Sequence, residues 1–127
     1  MSAWGISTAA AILALTAGGL AGCGEKAVSF SSEIQPVLQA NCSSCHQSGG
    51  SGEEASGFSV ANYEDLMKGT RHGPMVIAGD AEGSNLVVLI EGRADSSISM
   101  PHGDMEPVPQ QKIDRIRLWI DQGAKNN

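Results

Sequence analysis

Cys42, Cys45 and His46 fall together in "NCSSCHQSGG", residues 41–50, and no other stretch of the chain gathers so many reactive side chains. C-x-x-C-H is the spacing of a c-type haem attachment site. Two sulfurs separated by two residues can reach the two vinyl groups along one haem edge and form thioethers. The next residue then puts an imidazole under the iron as proximal ligand. Zinc is a rival occupant, with Cys42, Cys45 and one of His72 or His102 as ligands and His46 as a fourth. Structural zinc sites usually bring a second close pair, however, and His72 and His102 are 30 residues apart. A redox dithiol is another rival, but it calls for a βαβ setting, and the flanking sequence offers none. Haem fits the pattern best. Methionine or histidine would complete the iron from the other side. The candidates are Met67, Met75, Met100, Met105, His72 and His102, and spacing alone leaves the choice open.

These residues need elements to hold them. Ser32-x-x-Gln35 has the form of a capping box, and Ile34, Val37, Leu38 and Cys42 recur at helical spacing. This predicts a helix from about Glu33 that delivers the cysteines at its end. "QSGGSGEEASG", Gln47 to Gly57, is polar and glycine-rich and reads as loop. Asn62-x-x-Asp65 caps a short helix through Tyr63, Leu66 and Met67 that closes at Gly69. Ser84 could cap "NLVVLIEG", an apolar run that suits a strand or a helix. Three prolines between Asp95 and Pro109 argue against regular structure there. Beyond them, Ile113, Ile116, Trp119 and Ile120 form one apolar stripe, with Lys112, Asp114, Arg115 and Arg117 on the other face. Pro109 suits the first helical position and Gly123 the residue after the end.

The N-terminal region is of another kind. The first 22 residues contain no Asp, Glu, Lys or Arg, and Ile6 to Leu20 is an apolar stretch of 15 residues. A membrane-spanning helix needs about 20. A secretory signal is expected instead, although its n-region lacks Lys and Arg. "LAGC", Leu20 to Cys23, resembles the lipobox of bacterial lipoproteins, which makes Cys23 the expected lipidation site. Cysteine parity agrees, because Cys23 is the odd one of three. The expected organisation is a signal peptide over 1–22, a tether over 23–29 and one domain over 30–127. Acyl chains would anchor that domain at a membrane without spanning it. The localisation expected is exported, periplasmic or cell-surface.

Composition limits the remaining possibilities. A chain of 127 residues with only 4% aromatics has no large core of its own, and 16 glycines imply long loops. Such a domain generally needs a disulfide, metal or cofactor as a staple. The formal charge of −6 argues against nucleic acid as a partner and favours proteins with basic docking surfaces.

Taken in order, "FSSEIQPVLQANCSSCH", "YEDLMKG", "AGDAEGSNL", "SMPHG" and "RLWIDQGA" resemble the landmarks of the planctomycete-type cytochrome c family. The resemblance spans about Phe30 to Ala124. It implies an all-α, small haem-wrapping cytochrome c-like domain with glycine-rich loops. It also implies haem c as cofactor, attachment through Cys42 and Cys45, His46 as proximal ligand and Met100 as distal ligand. The family's "MPP" is "MPH" here, which puts His102 two residues from the implied ligand. Leu38, Phe58, Tyr63, Leu66, Leu89, Ile116 and Trp119 are expected to pack on the haem, and haem-free chain to be largely unfolded. The function implied is one-electron transfer through redox protein partners. The alternative is a five-coordinate haem protein with peroxidase-like or small-ligand-binding activity, using His72 or His102 as acid–base group.

Overall fold

In the computed structural model, which describes Met1 and residues 24–127, packing begins at Val28. Apart from Met1, the expected signal segment lies outside the described residues, as does Cys23. A π-helical turn, Phe30–Ile34, runs directly into α1, Gln35–Cys42. Four more helices follow: α2 Ser51–Ser56, α3 Tyr63–Lys68, α4 Asn85–Ile90 and α5 Gln110–Asp121. The described residues form no strand, only an isolated bridge between Thr70 and Gly73. The all-α expectation therefore holds. Among the described residues no helix is long and apolar enough to cross a membrane.

The first helix starts three residues earlier than its sequence suggests. Ser29, not Ser32, is the cap: its hydroxyl accepts from the Ser32 N–H, and Glu33 Oε2 accepts from the Ser29 N–H at 2.8 Å. The wider π turn adds a residue, so the reciprocal acceptor sits four positions on rather than three. Arg115 of α5 closes on the same carboxylate at 2.6 Å. The backbone N–H of Ser29, followed by Arg115, holds the Glu33 carboxyl below the usual range.

Residues Gln47 to Gly57, expected as loop, contain α2. Gly57 ends it in the left-handed region at φ +78, with its N–H on Glu53 O at 2.7 Å. Arg71 donates to the last carbonyls, Nη1 to Ala55 O at 2.9 Å and Nη2 to Glu54 O at 2.7 Å. These partners are 16 and 17 residues away, beyond the reach of local patterning.

The other elements follow their sequence more closely. Asn62 accepts from the Asp65 N–H at 2.8 Å and opens α3. "NLVVLI" is a helix, but Ser84 does not cap it through its side chain. That buried hydroxyl instead accepts from Ile77 N–H at 2.8 Å and donates to Asp80 O at 2.7 Å, stapling the preceding turn. Pro109 is the residue before α5 rather than its first. The stripe Ile113, Ile116, Trp119 and Ile120 is buried as its spacing requires.

α5 packs on the π turn and on α4. Where it meets the π turn and α3, Phe30, Tyr63 and Trp119 form an aromatic cluster, with Phe30 5.2 Å from Tyr63 and 5.4 Å from Trp119. Both polar tips are satisfied: Tyr63 OH donates to Ala124 O at 2.8 Å and Trp119 Nε1–H to Lys125 O at 2.9 Å. Asn127 lies across the π turn, its carbonyl oxygen accepting from the N–H and the hydroxyl of Ser31. On the outside, Arg93 and Arg117 each bridge Glu82 and Glu91, linking the end of α4 to α5.

Candidate cofactor site

α1 ends at Cys42, and the backbone turns sharply there. The N–H groups of Cys45 and His46 both return to Cys42 O, at 3.2 and 2.9 Å. This turn gives Cys42, Cys45 and His46 a common outlook. Both thiols are free and half-buried. Burial, with the neighbouring Cys45 adding to it, pushes the Cys42 thiol up to about 11.

His46 is 9% exposed, so its ring must be satisfied by protein or ligand. Nδ1 lies 3.2 Å from the Phe58 carbonyl oxygen. A carbonyl only accepts, so Nδ1 carries the proton and Nε2 keeps its lone pair. That is the tautomer a metal-binding histidine uses, with the second nitrogen anchored to backbone. The Phe58 ring meets the imidazole edge-on at 5.4 Å.

α2 builds on the same turn. The Cys45 carbonyl accepts from the N–H groups of Gly52 and Glu53, at 2.9 and 3.0 Å, and so caps the helix start. A Cβ on Gly50 would collide with that carbonyl, and one on Gly52 would lie 2.6 Å from His46 Cε1. The turn and α2 fit only because these two positions lack side chains.

A cavity of about 320 Å³ opens beside the turn. Cys42, Cys45 and His46 form one part of its wall. Leu86, Leu89 and Ile90 of α4, with Phe58, Met75 and Val108, supply apolar surface. α2 contributes Ser51, Gly52, Ala55 and Ser56, and another part of the wall is the segment carrying Met100, Pro101, His102 and Met105. That segment is tied down on the α4 side, where the Met100 N–H donates to Leu89 O at 3.2 Å. Upstream, Asp95 gathers the N–H and hydroxyl of Ser97. The hydroxyl, followed by the N–H, holds the Asp95 carboxyl below the usual range.

Cys42, Cys45, His46 and Met100 therefore meet at one cavity, while Cys23 lies outside the described residues. Of the six candidate distal ligands, Met75, Met100, Met105 and His102 line it, whereas Met67 and His72 do not. Met67 packs against the core instead. Among the described residues, no three His, Cys, Asp or Glu side chains are grouped to hold a metal ion, which leaves the zinc reading without its ligand set.

One expectation fails clearly. Of the seven residues expected to pack on haem, only Phe58 and Leu89 line the cavity. Leu38, Leu66, Ile116 and Trp119 are buried in the protein's own core, and Tyr63 packs against it. Among the wall residues missed were Leu86, Ile90 and Val108; Leu86, Leu89 and Ile90 stand at i, i+3 and i+4, a helical stripe that would have pointed to the first two.

The fit to haem is good on three counts: two thiols beside a histidine, an imidazole with its free lone pair available, and apolar walls. An all-helical domain with C-x-x-C-H turned into the wall of an apolar cavity is of the cytochrome c class. Residues 42–104 match the family model for planctomycete cytochrome C. The match contains Cys42, Cys45, His46 and Met100, and the family implies covalently bound haem c. Comparison with curated proteins and with solved structures gave no match.

Proposed function

We propose that the protein is a monohaem c-type cytochrome that carries single electrons, with thioethers to Cys42 and Cys45 and axial ligation by His46 and Met100. The observation that carries this reading is that all four side chains line one apolar cavity. When bound, haem c supplies a one-electron ferric/ferrous couple. Cys42 and Cys45 fix one edge of the ring. His46 presents Nε2, and Phe58 O keeps the proton on Nδ1. Met100 offers a thioether, a ligand that raises the reduction potential. Leu86, Leu89 and Ile90 keep water from the ring and favour the less charged, reduced state.

Export and lipid anchoring at Cys23, in the periplasm or at the cell surface, form part of the proposal and are supported by the apolar start and "LAGC". Redox proteins with basic docking surfaces are the proposed partners, supported by the charge of −6.

The five-coordinate, peroxidase-like alternative keeps one supporting observation: His102 lines the same cavity. Spectra and redox titrations of wild type, Met100→Ala and His102→Ala separate the two readings. The carrier reading expects low-spin wild type, a high-spin Met100→Ala with a lowered potential, and little change in His102→Ala. Wild-type spectrum and potential in Met100→Ala would remove Met100 from the iron.

A further inference from the structure

We infer that Gly52 is a positioning residue for the axial imidazole, its bare Cα on α2 setting the tilt of the His46 ring. The inference rests on the reading of His46 as iron ligand. A Cβ at Gly52 would stand 2.6 Å from Cε1 and 2.9 Å from both Nδ1 and Nε2. A point in the ring plane beyond Cε1 would lie much farther from the nitrogens than from the carbon. The nearly equal distances put that Cβ over the face of the ring. The α2 backbone is thus a flat plate against one face of the imidazole, while Phe58 O holds its Nδ1 edge.

The plate has little freedom to retreat. Cys45 O holds the first turn of α2 through two N–H groups, and Arg71 holds its last carbonyls. His46 is nearly buried but also lines the cavity, so the ring, and not the tied-down helix, is the partner that gives way. Gly52 also has no backbone need to be glycine. It is helical, outside the left-handed region, where Ala is the better helix former. Space over the ring is what the position requires.

A methyl group there forces the ring along its normal, and Nδ1–H leaves the line to Phe58 O. Losing that hydrogen bond weakens the imidazole as a donor. Ferric iron depends on the donor more than ferrous iron does, so the reduction potential rises.

The test uses haem-loaded protein: wild type, Gly52→Ala, His46→Ala and Gln47→Ala, an exposed, uncharged neighbour absent from the cavity wall. The expected result is a raised potential and changed ferric EPR g-values for Gly52→Ala, with Gln47→Ala matching wild type. Wild-type potential and g-values in Gly52→Ala would overturn the inference. Should Gly52→Ala fail to accumulate, NMR of ferrous wild type decides. It should give a nuclear Overhauser effect between Gly52 Hα and His46 Hε1, with a slowly exchanging Nδ1–H, and the absence of both overturns the inference. His46→Ala separates the two levels. An unchanged haem spectrum there defeats the ligand reading itself. A lost one, beside a silent Gly52→Ala, defeats only the positioning role.

Discussion

The two ends of the domain solve the problem of a small core in opposite ways. At one end Phe30, Tyr63 and Trp119 fill the space between the π turn, α3 and α5, and the C-terminal residues Lys125 and Asn127 close over them. Phe30 and Trp119 are almost fully buried there. At the other end the Cys42–His46 turn, α2, α4 and the Met100 segment surround a cavity of about 320 Å³. Three of the four aromatic residues among those described therefore lie where nothing else fills the core, and the other end, with Phe58 in its wall, is left for a cofactor. This division bears on the expectation that haem-free protein is largely unfolded. Five of the seven residues assigned to haem contact belong to the protein's own core, so a closed end that persists without haem is the outcome it predicts.

The largest effect should come from breaking the closed end. Trp119 is 1% exposed and joins α5 to Phe30, Tyr63 and Lys125. Trp119→Ala is expected to lose about 3–5 kcal/mol, most of the stability of a domain this small. Thermal melts followed by circular dichroism should lose their cooperative transition in haem-free protein. An unshifted melt would mean that the aromatic cluster is not the stable end.

A smaller effect tests whether α2 is held by tertiary contacts. Arg71 is exposed, but its guanidinium takes two carbonyls at the end of the helix. Arg71→Ala should lose about 1 kcal/mol, because solvent screens much of each charge-assisted bond. The loss should be local, seen as faster amide exchange at Glu54 and Gly57, with Trp119 and Ile120 unaffected. Uniformly faster exchange would show that the two ends unfold as one.

How much of this was legible in the sequence follows the same division. The buried face of α5 could be read in full, though its start is one residue later than expected, since an amphipathic stripe is a local pattern and its four apolar residues are all buried. The cap of α3 was legible for the same reason. α2 was not, because its capping groups come from Arg71 and the Cys45 carbonyl, and "SGEEAS" is a poor helix former by composition. Ser29 was missed because a π turn shifts the capping spacing by one residue. At the site, the C-x-x-C-H chemistry was visible from spacing. The packing that orients it was not: Gly52 looked like loop glycine until the imidazole was placed against it.

The effect that is smallest at neutral pH, where it is silent, belongs to the cavity end alone. Burial raises the Cys42 thiol from its ordinary value of 9.0 to about 11 in haem-free protein. A thiol raised by folding leaves stability intact below the ordinary value. Stability is then lost as pH climbs through the folded value, because the unfolded chain ionises first. The decline should therefore fall between about pH 9 and 11, and Cys42→Ser should flatten it. Alkylation gives a second reading. Two pH units correspond to about a hundred-fold less thiolate. Cys42 should therefore react with iodoacetamide far more slowly in folded haem-free protein at pH 8 than in denaturant, with the labelled residue identified by peptide mass. Equal rates in the two states would mean that the cavity wall is open to solvent. The protonated thiol then has a plain consequence for assembly. If the closed end folds before haem arrives, Cys42 becomes a poor nucleophile, so thioether formation should be fastest before folding is complete.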